Sequence, residues 1–363
     1  MIILGIETTC DETGLALLEF PARSETAKNH SSQNHIPFRL LGAELSSQIA
    51  LHEPYGGVVP ILAARQHKKN LPLLYASLLK KTKISENSID FIACAAGPGL
   101  PPALIEGKNF TIKLSKKLQK PIIPVHHVLA HLHTCFLSDD PLKKGRKKEL
   151  FLTIPEFPAL GCVISGGHTA LFSFSSLSSY KKIGETLDDA IGESLDKAAR
   201  LIGLGYPGGP KIEIYAKKGK PVFTLPFPLV HQKNLNFSFS GLKTAFRELV
   251  DDVSRIKPLT DETRAHLARS YQQAVFHIVI SKLKRAIELV KPKGIFFGGG
   301  VIANQTLREV LKKNIGVPLY FPPLSISTDN GTQIGISGYI AKELLHQKPI
   351  SADEFDVNPN LPL

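Results

Sequence analysis

The stretch MIILGIETTCDETGLALLEF, Met1 to Phe20, decides the fold. Ile2 to Ile6 is an apolar run of strand length. Glu7 to Thr13 is a polar turn crowded with oxygen side chains, and Gly14 to Phe20 is a second apolar run. Two such runs around a polar turn predict an antiparallel hairpin.

The same arrangement returns at Leu160. LGCVI reads as a strand, SGGH (Ser165 to His168) as the turn, and TALFSF as the returning strand. Each hairpin is followed later by a buried strand that ends in a glycine loop: IDFIACAAGPG (Ile89 to Gly99) and KGIFFGGG (Lys293 to Gly300). The repeat is one of architecture, not of residue identity. It predicts an α/β protein and resembles the pattern of the two-lobed actin, hexokinase and Hsp70 superfamily, which implies duplicated ribonuclease H-like lobes that close on a nucleotide. Residues 1–128 with 336–363 are expected to form the N-terminal lobe, and 129–335 the C-terminal lobe. Two stretches interrupt the order. Pro21 to Arg39 is polar and aperiodic and reads as an extended hairpin insertion. Asp139 to Glu149 (DDPLKKGRKKE) reads as a basic surface linker.

A chain of 363 residues exceeds what one core usually serves, and 43% hydrophobic content can fill two. The four cysteines, Cys10, Cys94, Cys135 and Cys162, form no CxxC pair. That argues against a zinc ribbon or a disulfide scaffold and suits a reducing compartment. The first apolar run stops at Glu7, too soon for a secretion signal, and no stretch has the length of a membrane span. A soluble cytoplasmic protein is expected. The formal charge of +12, carried by groups such as Lys80-Lys81-Lys83 and Lys116-Lys117, biases the molecule toward polyanions. No DNA- or RNA-reading module accompanies it.

Chemistry concentrates in the glycine turns and in the histidines. ISGGH (Ile164 to His168), YPGGP (Tyr206 to Pro210) and FFGGGVIAN (Phe296 to Asn304) offer backbone N–H groups to an anion, and the last opens onto a helix start. Between the first two lies GETLDDAIGESLDKAARLIGLG, read as helical, with Asp189, Glu193 and Asp196 on one face. The plainer reading pairs these acids with Lys197 and Arg200. Asp196, nearest YPGG, is the better candidate for a ribose hydroxyl. VHHVLAHLH (Val125 to His133) places His127 and His131 one helical turn apart, with His126 and His133 on another ridge. The peptidase signature HExxH would need glutamate where Val128 stands, so a peptidase is disfavoured. A metal on this pair needs a carboxylate from elsewhere, and Asp329 in STDNGTQIG can supply it as a two-histidine, one-carboxylate site.

GIETTCDET, VPILAARQH, GPGL, VHHVLAH, VISGGHT, GETLDDAIGESLDKAARLIGLGYPGGP, NFSFSGLKTA, FGGGVIAN and STDNG, in this order, resemble the tRNA N6-adenosine threonylcarbamoyltransferase family across nearly the whole chain. The resemblance implies threonylcarbamoyl-AMP bound between the lobes and transfer of its acyl group to N6 of the adenosine beside the tRNA anticodon. It implies a divalent metal, iron(II) ahead of zinc, on His127, His131 and Asp329. Ile164, Ser165, Gly166, Gly167, His168, Asp196, Gly209, Glu213 and Asn304 would hold the adenylate, with Asp11 and Glu12 as the catalytic loop. The implied partners are tRNA, a paralogue of the same fold and a small ATPase. The chain departs from the family pattern at His126, usually asparagine, and at Ser327, Gly331 and Thr332, where a cysteine and small residues are usual. A phosphotransferase or ATPase of the same fold, or a non-catalytic scaffold, would keep the glycine turns but would not need the His127, His131, Asp329 set.

Overall fold

The computed structural model describes residues 1–21, 35–137, 142 and 150–362. The expected basic linker, apart from residue 142, and most of the expected insertion lie outside these residues. The chain forms two compact units: Met1–Leu51 with Val58–Pro155 and Phe321–Leu363, and His52–Gly57 with Glu156–Tyr320.

The first unit is built on a six-stranded sheet. Its strands are β1 (Ile2–Glu7), β2 (Glu12–Glu19), β3 (His35–Ser47), β4 (Phe91–Gly97), β5 (Ile122–His126) and β6 (Leu150–Thr153), in the order β5-β4-β1-β2-β3-β6. The opening hairpin is antiparallel, with Gly5 opposite Ala16 and Glu7 opposite Gly14. Parallel pairing begins on its other side, at β4 and then β5. Strand alternation gives the hairpin two distinct faces. Leu4, Ile6, Leu15 and Leu17 pack into a core with Leu71, Tyr75 and Leu78 of α1 (Pro60–Thr82) and Leu114 of α2 (Pro101–Leu118). The opposite face carries Gly5, Gly14 and Ala16, side chains too small to hold a helix away, with Glu7 at its end.

The second unit repeats the plan. Its strands are β7 (Ala159–Ile164), β8 (Thr169–Phe174), β9 (Tyr180–Glu185), β10 (Ile295–Gly298) and β11 (Leu319–Tyr320), in the order β11-β10-β7-β8-β9. Here β7 and β8 are the hairpin, and β10 joins β7 in parallel. In both sheets the first hairpin strand separates the antiparallel from the parallel half, as the duplicated reading requires. The second unit's helices are α4 (Ile191–Leu201), α5 (Gly208–Ala216), α6 (Ser240–Ile256), α7 (Asp261–Val290) and α8 (Gln305–Asn314), and they fall in the chain between α3 (His127–His133) and α9 (Gly331–Tyr339) of the first unit. No helix among the described residues is long and apolar enough to cross a membrane.

One expectation is corrected. Residues 35–39 are not part of a loop: they open β3, which pairs with both β2 and β6. The compact units part at 51/52, 57/58, 155/156 and 320/321, where the sequence places the lobe division at 128/129 and 335/336. The reason is pairing: β6 completes the first sheet at its edge, and the segment after residue 320 returns to the β1–β2 hairpin.

Candidate functional site

Strand β5 ends at His126, and α3 (His127–His133) starts directly from it. The four-residue spacing brings His127 and His131 together edge to face, with ring centroids 4.6 Å apart. The third group arrives on α9 (Gly331–Tyr339), all of whose residues are buried. Asn330 caps this helix by accepting a hydrogen bond from the Gln333 N–H at 3.0 Å, which leaves Asp329 just outside its start. The helix can reach the hairpin only because both surfaces are glycine. A Cβ on Gly5 would lie 2.1 Å from the Gly331 carbonyl oxygen, and one on Gly331 would lie 2.5 Å from the Leu15 carbonyl carbon. Asp329 Oδ1 thereby stands 3.1 Å from His131 Nε2 and 3.6 Å from His127 Nε2.

The three ligand atoms lie within 4.8 Å of one another. His131 Nε2 is buried without a hydrogen-bond partner. A buried nitrogen without a hydrogen-bond partner, beside a second imidazole and a carboxylate, makes a donor set that could hold a transition-metal cation. Asp329, with a side chain 17% exposed, is the most accessible of the three.

Glu7 supports the site from beneath. Its Oε2 accepts from His127 Nδ1 at 2.9 Å, and its Oε1 accepts from the Thr9 N–H at 2.6 Å. With a proton held on Nδ1, the lone pair of His127 Nε2 is what a cation beside Asp329 would meet, the usual arrangement behind a ligating histidine. Burial alone pulls the His127 pKa down, but the charges of Glu7 and Asp329 and the Glu7 hydrogen bond outweigh it and push it up to about 9. The sequence reading did not include Glu7. Its signal was strand parity, since Glu7 shares a face with Gly5.

Asp11 is buried beside Glu12, whose carboxyl is pushed well above the usual range by burial and then by the charges of Asp11 and Asp329. The same causes, burial first, push the Cys10 thiol up. In this loop the charged forms of the Glu12 carboxyl and the Cys10 thiol are both disfavoured.

The other two histidines are employed elsewhere. His126 Nε2 donates to the Leu361 carbonyl at 3.2 Å. His133 Nδ1 is hydrogen-bonded to the Ser337 hydroxyl of α9 at 2.9 Å. Burial lowers His126 to about 4, and burial together with the His126 charge lowers His133 to about 3. A depressed histidine contributes stability that is present above about 6.5 and is lost as pH falls through the folded value. His127, in metal-free protein, has the opposite sign: its contribution is present below about 6.5 and is lost as pH rises through about 9. Acid melts of His133→Gln test this. The loss of stability between pH 7 and pH 4 should shrink relative to the parent by something on the order of a few kcal/mol. An equal loss in both proteins would show that His133 is protonated normally.

In the second unit the glycines sort by what surrounds them. At Gly166 and Gly167, in the β7–β8 turn, a Cβ would meet nothing within 4 Å, and at Gly209 it would meet only Leu195 Cδ1 at 3.9 Å. These positions border open space. Gly192, Gly208 and Gly299 are close-packed instead: their Cβ atoms would fall 2.7 Å from Gly166 Cα, 2.5 Å from Asp196 Cα and 2.5 Å from the Ile164 carbonyl oxygen. Gly299 also has φ 95°, which favours glycine. The SGGH turn, the start of α4 and the FGGG turn thus lie against one another.

The remaining expected ligands brace these turns. Asp196 Oδ1 accepts from the Gly208 N–H at 2.6 Å. Glu213 Oε1 accepts from the Thr306 N–H and hydroxyl, both at 3.0 Å. Asn304 caps α8 through the Leu307 N–H at 2.8 Å and donates to Gln272 at 3.3 Å. Ile164 ends β7, buried, and the His168 N–H donates to Ser165 Oγ at 3.0 Å. The acidic segment is corrected: Asp188 and Asp189 precede α4 and do not share its face. Asp188 accepts from Ser238 Oγ and the Phe239 N–H, and Asp189 pairs with Lys197 and Lys243.

A family model described as TsaD, tRNA N6-adenosine threonylcarbamoyltransferase, matches residues 39–336. The chain is 38% identical to the tRNA N6-adenosine threonylcarbamoyltransferase of Herminiimonas arsenicoxydans, with 100% of this chain and 98% of that protein covered. It is 39% identical to the protein of the same name from Polynucleobacter asymbioticus, with 99% and 97% covered. Among solved structures, full-length HypF in its phosphate- and nucleotide-bound form superposes with a TM-score of 0.54 at 12% identity, over 94% of this chain and 56% of that one. That likeness shows the fold alone.

Proposed function

Because the chain belongs to the tRNA N6-adenosine threonylcarbamoyltransferase family, and is by that membership a tRNA-modifying transferase, we propose that it moves the threonylcarbamoyl group of threonylcarbamoyl-AMP to N6 of the adenosine beside the anticodon. The observation that carries this reading is the convergence of His127, His131 and Asp329 around an orphaned buried nitrogen. A phosphotransferase or ATPase of the same fold has no use for it.

Adenine N6 is a weak nucleophile because its lone pair is delocalised into the ring, so the acyl carbon must be activated and its developing charge offset. His127, His131 and Asp329 would hold a divalent metal, iron(II) in preference to zinc, which supplies a Lewis acid for an acyl oxygen. Glu7 fixes the His127 ring for that role. The N–H groups at Gly166 and Gly167 would receive the AMP phosphate, in space that no side chain of the turn fills. Asp196, Gly209, Glu213 and Asn304 would shape the rest of the nucleotide pocket through the turns they brace. As the bond from N6 to the carbonyl carbon forms and AMP leaves, N6 releases a proton, and the Asp11–Glu12 pair is the candidate acceptor. Partners of the same fold and a small ATPase complete the proposal. The tRNA substrate and the free cysteines support a cytoplasmic setting.

Mass spectrometry of tRNA nucleosides after depletion of the protein tests the reaction. Threonylcarbamoyladenosine should disappear, and its persistence would sink the reading. The pocket has a separate test. Gly167→Val places a branched side chain in the open space and should weaken AMP binding in calorimetry by tenfold or more, about 1.4 kcal/mol, with the melting temperature unchanged. Unaltered AMP binding would remove this turn from the pocket.

A further inference from the structure

Helices α4 and α6 of the second unit border a half-open pocket of about 230 Å³ lined by Lys197, Arg200, Leu201, Lys243, Thr244 and Arg247. Residues 197, 200 and 201 share one face of α4, and 243, 244 and 247 one face of α6. Four cations thus meet in a space smaller than the roughly 300–1,000 Å³ of a typical small-molecule pocket.

Their charges are only partly answered. Asp189 accepts from Lys197 at 2.7 Å and from Lys243 at 2.6 Å, and Glu193 pairs with Lys197 at 2.7 Å. Arg200 donates to the Gly56 carbonyl oxygen. Arg247 makes no hydrogen bond or ion pair among the described residues. Four cations against two carboxylates leave a surplus of two positive charges. Asp189 serves as a strut that fixes both lysine ammonium groups at the pocket, so part of the ordering entropy is already spent before any ligand arrives. Bringing like charges together this way is unfavourable unless an anion lies among them. Arginine forks and lysine point charges are the groups that hold a phosphate.

We propose that this pocket docks a backbone phosphate of the RNA substrate, with Arg247 as its main contact. The inference rests on the reading of the chain as a tRNA-modifying transferase, and supplies a place where the excess positive charge meets that substrate.

The experiment is tRNA binding by the purified full chain, measured by fluorescence anisotropy across a salt series. Arg247→Ala should lower affinity severalfold at low salt and reduce the log–log salt slope by about 0.7–0.9, one phosphate contact. Arg255→Ala removes the same charge farther along α6, where Arg255 pairs with Asp252 at 3.0 Å, and should leave the slope in place. An Arg247→Ala slope equal to the parent's overturns the proposal. So does competition by inorganic phosphate at the pocket with no effect on tRNA, or loss of polyglutamate binding with tRNA binding intact, which would assign the pocket to a free anion or to an acidic protein. A parent protein that binds no tRNA overturns the functional reading as well, whereas tRNA binding that ignores Arg247 overturns this inference alone.

Discussion

His131→Ala is expected to lose its metal and its transfer activity together while remaining folded. The substitution leaves His127 and Asp329, and two protein ligands hold a divalent ion poorly against water. Affinity should fall by more than the roughly 10–100-fold that follows loss of a supporting contact. Glu7→Gln provides that smaller step, because it weakens the hydrogen bond to His127 Nδ1 at 2.9 Å without removing a ligand. His133→Ala is the contrast. It should keep the metal yet lose about 1–3 kcal/mol of stability, since the Ser337 hydroxyl loses its buried partner. Elemental analysis beside urea melts separates the three. Full metal in His131→Ala, or none in His133→Ala, would break the ligand assignment.

Gly5→Ala should damage the protein out of proportion to a single methyl. The new Cβ would lie 2.1 Å from the Gly331 carbonyl oxygen and 2.6 Å from the Gly335 nitrogen, both backbone atoms of α9. Neither can rotate away, so the helix must shift as a body. Overpacking of this kind costs about 1–3 kcal/mol, and the shift also moves Asp329 away from the two histidines. A lower melting temperature and a lower metal content should appear in the same variant. Gly166→Ala, where nothing lies within 4 Å, should stay within about 0.5 kcal/mol of the parent. A Gly5→Ala protein with parental stability and metal would mean that α9 does not rest on the hairpin backbone.

Much of the frame can be read from local pattern. The two hairpins, the buried strands ending in glycine and the His127–His131 pair all follow from periods of two and of 3.6. Helix boundaries around Asp188 and Asp189 did not follow, because the acids read as a helix face while their hydrogen bonds to Phe239 and to Lys243 come from a segment distant in sequence. The close-packed member of the YPGGP pair could not be chosen either: Gly208 and Gly209 are equivalent in composition, and only the contact of Gly208 with Asp196 Cα tells them apart. Glu7 was hidden for the same reason, since its role depends on α3 meeting β1. The return of β6 to β3, which moves the unit boundary, is a long-range pairing with no sequence signal of its own.

The insertion of the second unit within the first also sets an order in time. Synthesis delivers His127 and His131 before Glu156–Tyr320, the main part of the second unit, and Asp329 only after that unit has been completed. A nascent chain can therefore finish folding its inner unit while the outer one still lacks the helix that rests on Gly5 and Gly14. Capture of a metal at the proposed centre then belongs to the last stage of biogenesis. A ribosome stalled before residue 320 would display a chain with both histidines and no centre to load.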